Sequence, residues 1–177
     1  MSRAGVVILT LAALAICPST ATQQGEQLKI TSGKNSSLCI SIPGMNPVEG
    51  INVITRECSA TDMSQAWIFD SVTQLISSAA DATLCLEARR GVQFFDISMY
   101  SCDHPDVNRW KWSNGGNIQL AEWGSPGCMA TDATEFDSIY LETNDCSTPE
   151  ATWNFAPAVK TMKASEQKSL SEPSIQV

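Results

Sequence analysis

Residues that commonly carry out catalysis or bind metal ions are few in this sequence. Its only histidine, His104, lies in the segment Cys102-Asp103-His104-Pro105-Asp106. An imidazole beside carboxylates can bind a metal ion or transfer protons, but no second histidine is present to complete such a site. The sequence also contains no G-x-S-x-G motif and no phosphate-binding loop. We therefore predict that this segment is a solvated loop, and that the protein is not an enzyme and uses no cofactor or metal.

Cysteine is the other reactive residue, and the sequence contains seven. Cys17 lies in residues 1–21, which have the features of a secretory signal peptide: Arg3, an apolar run that starts at Gly5, and small residues at the end. The run is too short to cross a bilayer, which takes ~20 residues; the alternative is a buried N-terminal segment of the fold. Without this segment an even number of cysteines remains, and an exported chain is expected to pair them in three disulfides. The six are Cys39, Cys58, Cys85, Cys102, Cys128 and Cys146.

The composition indicates an acidic, exported protein. From Gln24 to Ala156 there are 7 Lys and Arg residues and 17 Asp and Glu residues, a net charge of −10. Binding to nucleic acid or to an anionic membrane depends on clustered positive charge, so we predict neither partner. No second long apolar run follows the signal peptide, and we predict a secreted chain that is not inserted in a membrane. Asn35, in Asn35-Ser36-Ser37, is a predicted N-glycosylation site on the surface.

The six cysteines divide the chain into three similar units. The paired positions are 19, 17 and 18 residues apart, and a tryptophan follows each second cysteine after seven to nine residues. Another aromatic residue comes two positions after each tryptophan. This recurrence indicates an internal repeat and predicts that both aromatic sets belong to the core. The tryptophans are Trp67, Trp110 and Trp153, and the second aromatics are Phe69, Trp112 and Phe155.

Short apolar segments with the alternation of half-buried strands surround these positions, as at Ile51 and Val53, and no segment has sustained helical periodicity. The third unit lacks a last strand, which an N-terminal strand at 27–30 supplies. We predict an all-β fold, a β-trefoil of repeats at about 31–76, 77–120 and 121–156. Six cysteines allow 15 pairings, and the repeat favours one disulfide within each unit. These disulfides are Cys39–Cys58, Cys85–Cys102 and Cys128–Cys146. Residues 157–177, polar and without a period, are predicted to be a disordered tail.

Three short motifs suggest a family. Gln65-Ala66-Trp67, with its echoes Asn108-Arg109-Trp110 and Ala151-Thr152-Trp153, resembles the QxW repeat of ricin-type lectin domains. The stretch from Leu84-Cys85-Leu86 to Trp110-Lys111-Trp112 is more specifically similar to the cysteine-rich domain of mannose-receptor-type endocytic receptors. The resemblance covers roughly residues 27–156 and implies a partner that is a glycan or glycoprotein. The other modules of those receptors are absent from the sequence, so we expect either a free-standing secreted module or a fragment of a receptor.

The resemblance also implies which residues bind sugar. In ricin-type lectins a carboxylate two residues after the first cysteine accepts hydrogen bonds from sugar hydroxyls. An aromatic residue two positions before the second cysteine stacks on the sugar ring, and an amide lies near the QxW motif. The second unit has the whole set in Glu87, Tyr100 and Asn108, and we expect Glu87 to lie at a wet rim and to be ionised at neutral pH. The first unit has Ser41, Arg56 and Gln65 instead and is predicted to be inactive.

The third unit offers a possible second site. It has Ala130 at the carboxylate position and Asn144 at the aromatic position, with Asp132 two residues late. Trp123 lies outside the repeat and is either a ligand contact or a core residue. Mannose-receptor-type domains bind sulfated N-acetylgalactosamine in this unit, but residues 145–150 here include two acids and no aromatic residue, and acids repel sulfate. The possible second site therefore consists of Asp132, Trp123 and Asn144.

Two functions fit these patterns. One is a non-catalytic carbohydrate-binding module for galactose-type or related glycans. The other is a protein-binding trefoil, either a receptor ectodomain fragment or an exported inhibitor, in which Glu87 and Tyr100 are ordinary surface residues of a decayed unit.

Overall fold

The computed structural model describes residues 26–44, 46–90, 95–113, 115–121, 127–142 and 145–158, and the structural statements below concern this part of the chain. It contains twelve strands and two short 3₁₀ turns, Met63–Gln65 and Pro149–Ala151. The strands are β1 Gln27–Ser32, β2 Leu38–Ser41, β3 Ile54–Glu57, β4 Trp67–Asp70, β5 Leu75–Ser78, β6 Leu84–Arg90, β7 Phe95–Ser101, β8 Trp110–Trp112, β9 Ile118–Leu120, β10 Cys128–Ala130, β11 Tyr140–Glu142 and β12 Trp153–Pro157. The predicted signal peptide and residues 159–177 lie outside the described residues.

Two antiparallel strand pairs belong to each repeat, and further antiparallel pairings join these six pairs to one another. In the pairs β2–β3, β6–β7 and β10–β11 the first strand contains the first cysteine of a disulfide, and the second cysteine follows the second strand. The three disulfides are those predicted from the repeat. The pairs β4–β5, β8–β9 and β12–β1 each contain one of the repeat tryptophans. Strand β1 pairs with β12 from Leu28↔Pro157 to Ser32↔Trp153, so the N-terminal strand completes the third repeat as predicted. The all-β trefoil with one disulfide in each repeat is therefore confirmed.

Three of the backbone hydrogen bonds between the repeats form a closed ring. The Val53 amide donates to the Ile97 carbonyl at 2.9 Å, the Ile97 amide to the Ile139 carbonyl at 2.9 Å, and the Ile139 amide to the Val53 carbonyl at 3.3 Å. All three side chains are fully buried. Val53 and Ile97 lie five residues before their second cysteine, whereas Ile139 lies seven before Cys146. The third repeat is therefore longer by two residues between this ring and its second cysteine.

The three repeat tryptophans are at the centre of the core, as predicted. Trp67, Trp110 and Trp153 are fully buried, and a buried indole N–H needs an acceptor. Each indole donates to the carbonyl of the residue that follows the first cysteine of its own repeat. The pairs are Trp67 to Ile40 at 3.2 Å, Trp110 to Leu86 at 2.9 Å and Trp153 to Met129 at 2.7 Å. The repeated bond reproduces the threefold relationship that the sequence spacing predicts.

The second aromatic set packs against this core but is only half-buried. The Phe155 ring centroid lies 3.5 Å from that of Trp112 and 6.3 Å from that of Phe69, so one residue from each repeat joins the cluster. The prediction that these residues belong to the core is correct for their packing. No helix among the described residues has the length and hydrophobicity that crossing a membrane would require.

Candidate functional site

Glu87 reaches the predicted site because β6 is a regular strand. Successive side chains of a strand point to opposite faces, so Cys85, Glu87 and Arg89 share one face of β6. Leu86, on the opposite face, is fully buried in the core. The alternation that buries Leu86 therefore directs Glu87 and Arg89 to the other face of the same hairpin.

Tyr100 lies on the neighbouring strand, on the same face as Glu87. The strand register pairs Cys85 with Tyr100 and Glu87 with Ser98, which makes Glu87 and Tyr100 diagonal neighbours. The Cys85–Cys102 disulfide joins the two strands beside this pair. The structure thus brings together the first two predicted site residues on a hairpin that is covalently closed.

Asn108 completes the group from the segment that precedes β8. Its side-chain oxygen accepts a hydrogen bond from the Ala88 amide at 2.7 Å, which ties this segment to β6 between Glu87 and Arg89. The amide oxygen of Asn108 is therefore used for structure. We call Glu87, Arg89, Tyr100 and Asn108 the second-repeat site.

Arg89 is the member of this site that the sequence analysis missed. Its guanidinium carbon lies 4.2 Å from the centroid of the Tyr100 ring, and its Nε lies 3.8 Å from Oε1 of Glu87. The cation therefore covers one face of the tyrosine that was predicted to stack on a sugar. The signal was present in the sequence, because a residue two positions after Glu87 in a strand must share its face.

Glu87 is buried, so the predicted wet rim position is wrong. Only 8% of the residue is exposed, and its Oε2 has no hydrogen-bond partner among the described residues. This burial raises the pKa of the Glu87 carboxyl above its usual value, while the nearby charges of Arg89 and His104 act in the opposite direction. Arg89 on the same face of β6 and the diagonal Tyr100 of β7 flank the side chain, which the sequence pattern did not show.

The lone histidine packs beside this site. The His104 ring lies 4.9 Å from the Tyr100 ring in an edge arrangement, and its Nδ1 accepts a hydrogen bond from the Asp106 amide at 3.2 Å. It is half-buried in the turn that follows β7. Within the described ranges no group of three or more His, Cys, Asp or Glu side chains could hold a metal ion.

The equivalent positions of the first repeat are occupied by other types of residue. Ser41 contacts the Ser64 hydroxyl at 3.1 Å, and Gln65 bonds to the Ser59 amide and the Glu57 carbonyl, both at 2.8 Å. Arg56 lies where Tyr100 lies in the second repeat, with its guanidinium carbon 5.4 Å from the Phe136 ring centroid. A cavity of about 550 Å³ adjoins these residues and is lined by Gly44, Arg56, Thr61, Asp62, Met63 and Ser64. The first repeat thus has no aromatic platform on its hairpin.

The third repeat forms an acidic groove instead of a second copy of the site. The groove, of about 320 Å³, is lined by Asp96, Asp132, Asp137, Ser138, Tyr140 and Glu142. Asp132 is exposed, and its Oδ1 accepts a hydrogen bond from the Tyr140 hydroxyl at 3.4 Å. Burial and the Asp132 charge raise the pKa of Tyr140 to about 12.

The register explains why this repeat departs from the predicted pattern. Cys128 pairs with Glu142, four residues before Cys146, so an acid occupies the place that Tyr100 has in the second repeat. The sequence analysis counted back two residues from Cys146 and selected Asn144. That count does not include the two extra residues that the third repeat has before Cys146. Asn144 and Trp123, both predicted for the second site, lie outside the described residues.

The predicted glycosylation site lies in a turn before β2. Asn35 is exposed, and its Oδ1 accepts hydrogen bonds from the Ser37 amide at 3.2 Å and the Ser37 hydroxyl at 2.8 Å. Asp81 forms the same turn with Thr83 at the matching place before Cys85. The sequon therefore occupies an exposed turn of the repeat.

Comparisons with known proteins identify the family and the fold of the chain. The family model described as "Ricin-type beta-trefoil lectin domain" matches residues 26–172. No curated protein matches the sequence. Solved structures do match, but their sequence identities are low, so the likeness shows the fold alone.

The C-half of an earthworm R-type lectin in complex with GalNAc is 19% identical, with a TM-score of 0.62 over 75% of this chain and 98% of that one. The β-trefoil lectin of the Vibrio vulnificus hemolysin/cytolysin, with N-acetyl-D-lactosamine bound, is 16% identical, with a TM-score of 0.61 over 75% and 94%. A non-toxic homologue of type II RIPs from Momordica charantia (bitter gourd), in complex with α-methyl-D-galactoside, is 20% identical, with a TM-score of 0.60 over 75% and 48%. These comparisons do not confirm the finer resemblance to mannose-receptor-type domains, which stays a prediction.

Proposed function

Because the chain belongs to the ricin-type β-trefoil lectin domain family, we propose that it is a secreted, non-catalytic module that binds galactose-type or related glycans through its second repeat. The three solved relatives named above carry GalNAc, N-acetyl-D-lactosamine or a methyl galactoside, which supports this class of ligand. The partner is then a glycan or a glycoprotein.

The observation that carries the proposal is the placement of Glu87 and Tyr100 on one face of the β6–β7 hairpin. A sugar offers vicinal hydroxyl groups and an apolar C–H face, so it is held by a carboxylate acceptor together with a flat aromatic ring. Glu87 supplies a carboxylate oxygen that has no hydrogen-bond partner among the described residues, and Tyr100 supplies a ring. The Cys85–Cys102 disulfide keeps the two strands in register before any ligand arrives, which reduces the entropy lost on binding.

Export is supported by independent features of the chain. Three disulfides form and persist in oxidising compartments, and the residues before Gln24 have the composition of a signal peptide. The exposed Asn35 turn is accessible for glycosylation. Secretion of the full chain from a eukaryotic host, with a loss of one glycan in Asn35→Gln, tests both points.

The function is tested by applying the secreted full chain to an array of neutral, amino, sialylated and sulfated glycans, and then titrating the best ligand by calorimetry. We expect a galactose-type ligand, and we expect Tyr100→Ala to weaken its binding by about tenfold, since stacking on an aromatic ring contributes roughly 0.5–1.5 kcal/mol.

Tyr140→Ala is the matched control, because it removes the only other tyrosine of the chain, in the third repeat. It should leave the affinity unchanged. The proposal is wrong if the folded protein binds no glycan, or if Tyr100→Ala binds as tightly as the wild type.

The alternative function is a protein-binding trefoil, and one observation favours it. Only the second repeat combines a carboxylate and an aromatic ring at the predicted positions, and there Arg89 covers the ring. A correctly disulfide-bonded protein that is silent across the whole array would favour this function over sugar binding.

A further inference from the structure

The position of Arg89 suggests the chemistry of the ligand. Its guanidinium lies between an aromatic face and a carboxylate, 4.2 Å from the Tyr100 ring centroid and 3.8 Å from Oε1 of Glu87. Cations bind favourably over aromatic faces, and more so when a carboxylate adjoins them. In the free protein the second-repeat site therefore holds an organic cation that belongs to the protein itself.

Arg89 satisfies this site only in part. Its contact with Glu87 is long, and Oε2 of Glu87 is buried without a hydrogen-bond partner in the described chain. The hydroxyl of Ser98, which lies opposite Glu87 in the strand register, is likewise buried and unpaired. Buried polar atoms are normally hydrogen-bonded, so two adjacent unpaired ones indicate a position that a ligand or solvent molecule fills. Arg89 itself is half exposed and can leave without opening the core.

The surroundings of the site are acidic. Asp96 lies opposite Arg89 in the strand register, and Asp106 and Glu49 add negative charge that acts on Glu87. Arg89 is the cation that lies nearest to Glu87 in the described chain, with its Nε 3.8 Å from Oε1. A neutral ligand that displaced Arg89 would remove the main cation facing a buried carboxylate, which is unfavourable. A ligand with its own positive charge would replace it.

We infer that the second-repeat site binds organic cations, with Arg89 as its occupant in the free protein, and that the sugars it selects carry a free, protonated amino group. The choice of sugar rests on the proposed function, whereas the cation site does not. An ammonium group on the sugar takes the place of the Arg89 guanidinium, donates to Glu87 and Ser98, and leaves the apolar face of the ring against Tyr100. Acetylation of that amine removes the charge, so an N-acetylated sugar lacks the group that replaces Arg89.

The cation site is tested with methylguanidinium, which reproduces the end of an arginine side chain. In Arg89→Ala it should bind saturably and shift the NMR signals of the Tyr100 ring, and the double variant Arg89→Ala/Glu87→Gln should lose this response. In the wild type the response should be weaker by about tenfold or more, because the tethered Arg89 competes for the same place over the Tyr100 ring. Arg56→Ala is the matched control, since Arg56 also lies over an aromatic ring, that of Phe136 in the third repeat. This variant should not strengthen the response of the Tyr100 ring to methylguanidinium.

The ligand class is tested by titrating the wild type with galactosamine and N-acetylgalactosamine at about pH 6, where an unmodified amine is charged. We expect the free amine to bind at least fivefold more tightly, and the difference to shrink in Glu87→Gln. Equal affinities would overturn the amine preference.

The two proposals fail in different ways. Neutral sugars that bind at Tyr100 of a protein that ignores methylguanidinium, even without Arg89, would overturn the cation site and leave the proposed function. Methylguanidinium binding without binding of any sugar would overturn the proposed function and the amine preference, and would leave the cation site.

Discussion

The indole N–H of Trp110 donates a hydrogen bond to the Leu86 carbonyl oxygen at 2.9 Å, and both residues are fully buried. The bond connects the β8–β9 pair to the disulfide-bearing β6–β7 pair of the same repeat. Equivalent bonds from Trp67 and Trp153 make the same connection in the other two repeats. Each tryptophan thus fills the core and also satisfies a backbone carbonyl that no solvent can reach.

Replacing Trp110 should separate these two contributions. Trp110→Ala should lower the free energy of unfolding by about 3–5 kcal/mol, as large aromatic truncations in cores do. Trp110→Phe keeps most of the apolar ring but leaves the Leu86 carbonyl unpaired, which should cost roughly 1–3 kcal/mol. Urea denaturation measures both. The exposed Val72→Ala is the background variant, and a loss below about 1 kcal/mol in Trp110→Ala would show that the residue is not a core anchor.

Gly116 should be intolerant of any side chain. Its φ is +84°, and a Cβ there would lie 2.9 Å from the Trp153 carbonyl oxygen. Gly44 has a similar φ of +78°, but a Cβ there would meet no atom of the described residues within 4 Å, its chain neighbours apart. Gly44→Ala therefore measures the left-handed backbone alone, about 1–2 kcal/mol, and Gly116→Ala should lose clearly more stability in the same denaturation experiment. Equal losses would mean that the backbone at Trp153 yields to the new methyl group.

Much of this fold could be predicted from the sequence because the same spacing of cysteines and tryptophans occurs three times in the chain. The spacing of Cys85, Cys102 and Trp110 recurs in the other units, so disulfide pairing and core tryptophans followed without knowledge of the structure. The closing strand was also predictable, since a missing element in the third unit and a spare one at Leu28 have one simple solution.

The site was harder to predict because it depends on side-chain position rather than on type. Glu87 and Tyr100 were identified by their distance from the cysteines, but their distance says nothing about burial or about Arg89, which a strand of regular period places beside them. In the third repeat two extra residues before Cys146 move the strand register, and Glu142 takes the place at which counting located Asn144. A count along the chain detects such an insertion only when a structure supplies the pairing.

The Cys85–Cys102 disulfide should matter for binding as well as for stability. Its loop of 17 residues is close in length to the 19-residue loop of Cys39–Cys58, so the chain-entropy model assigns both a similar stabilisation of about 3 kcal/mol. The double replacements by serine should therefore lower the unfolding free energy by similar amounts. Only the Cys85/Cys102 variant should also weaken ligand binding, because that bridge joins the strands that carry Glu87 and Tyr100. Calorimetric titration of the two variants below their unfolding transitions checks this, and equal affinities would contradict it.

The burial of Glu87 should appear as a pH dependence of stability. Its pKa in the folded protein is raised above the ordinary value of 4.5, chiefly by burial. The folded protein therefore keeps this proton at pH values where the unfolded chain has lost it, so the contribution of Glu87 to stability is fully present below about pH 4.5 and is lost as the pH rises through the folded-state pKa. Glu87→Gln resembles the protonated form at every pH. Its melting temperature should match that of the wild type in acid and exceed it increasingly towards neutral pH.

The exposed Glu57→Gln provides the background. Arg89→Ala should make the wild-type decline steeper, since the Arg89 charge lowers the pKa of Glu87. If the melting temperatures of the wild type and Glu87→Gln change with pH in the same way from acid to neutral, the Glu87 carboxylate is solvated in the folded protein.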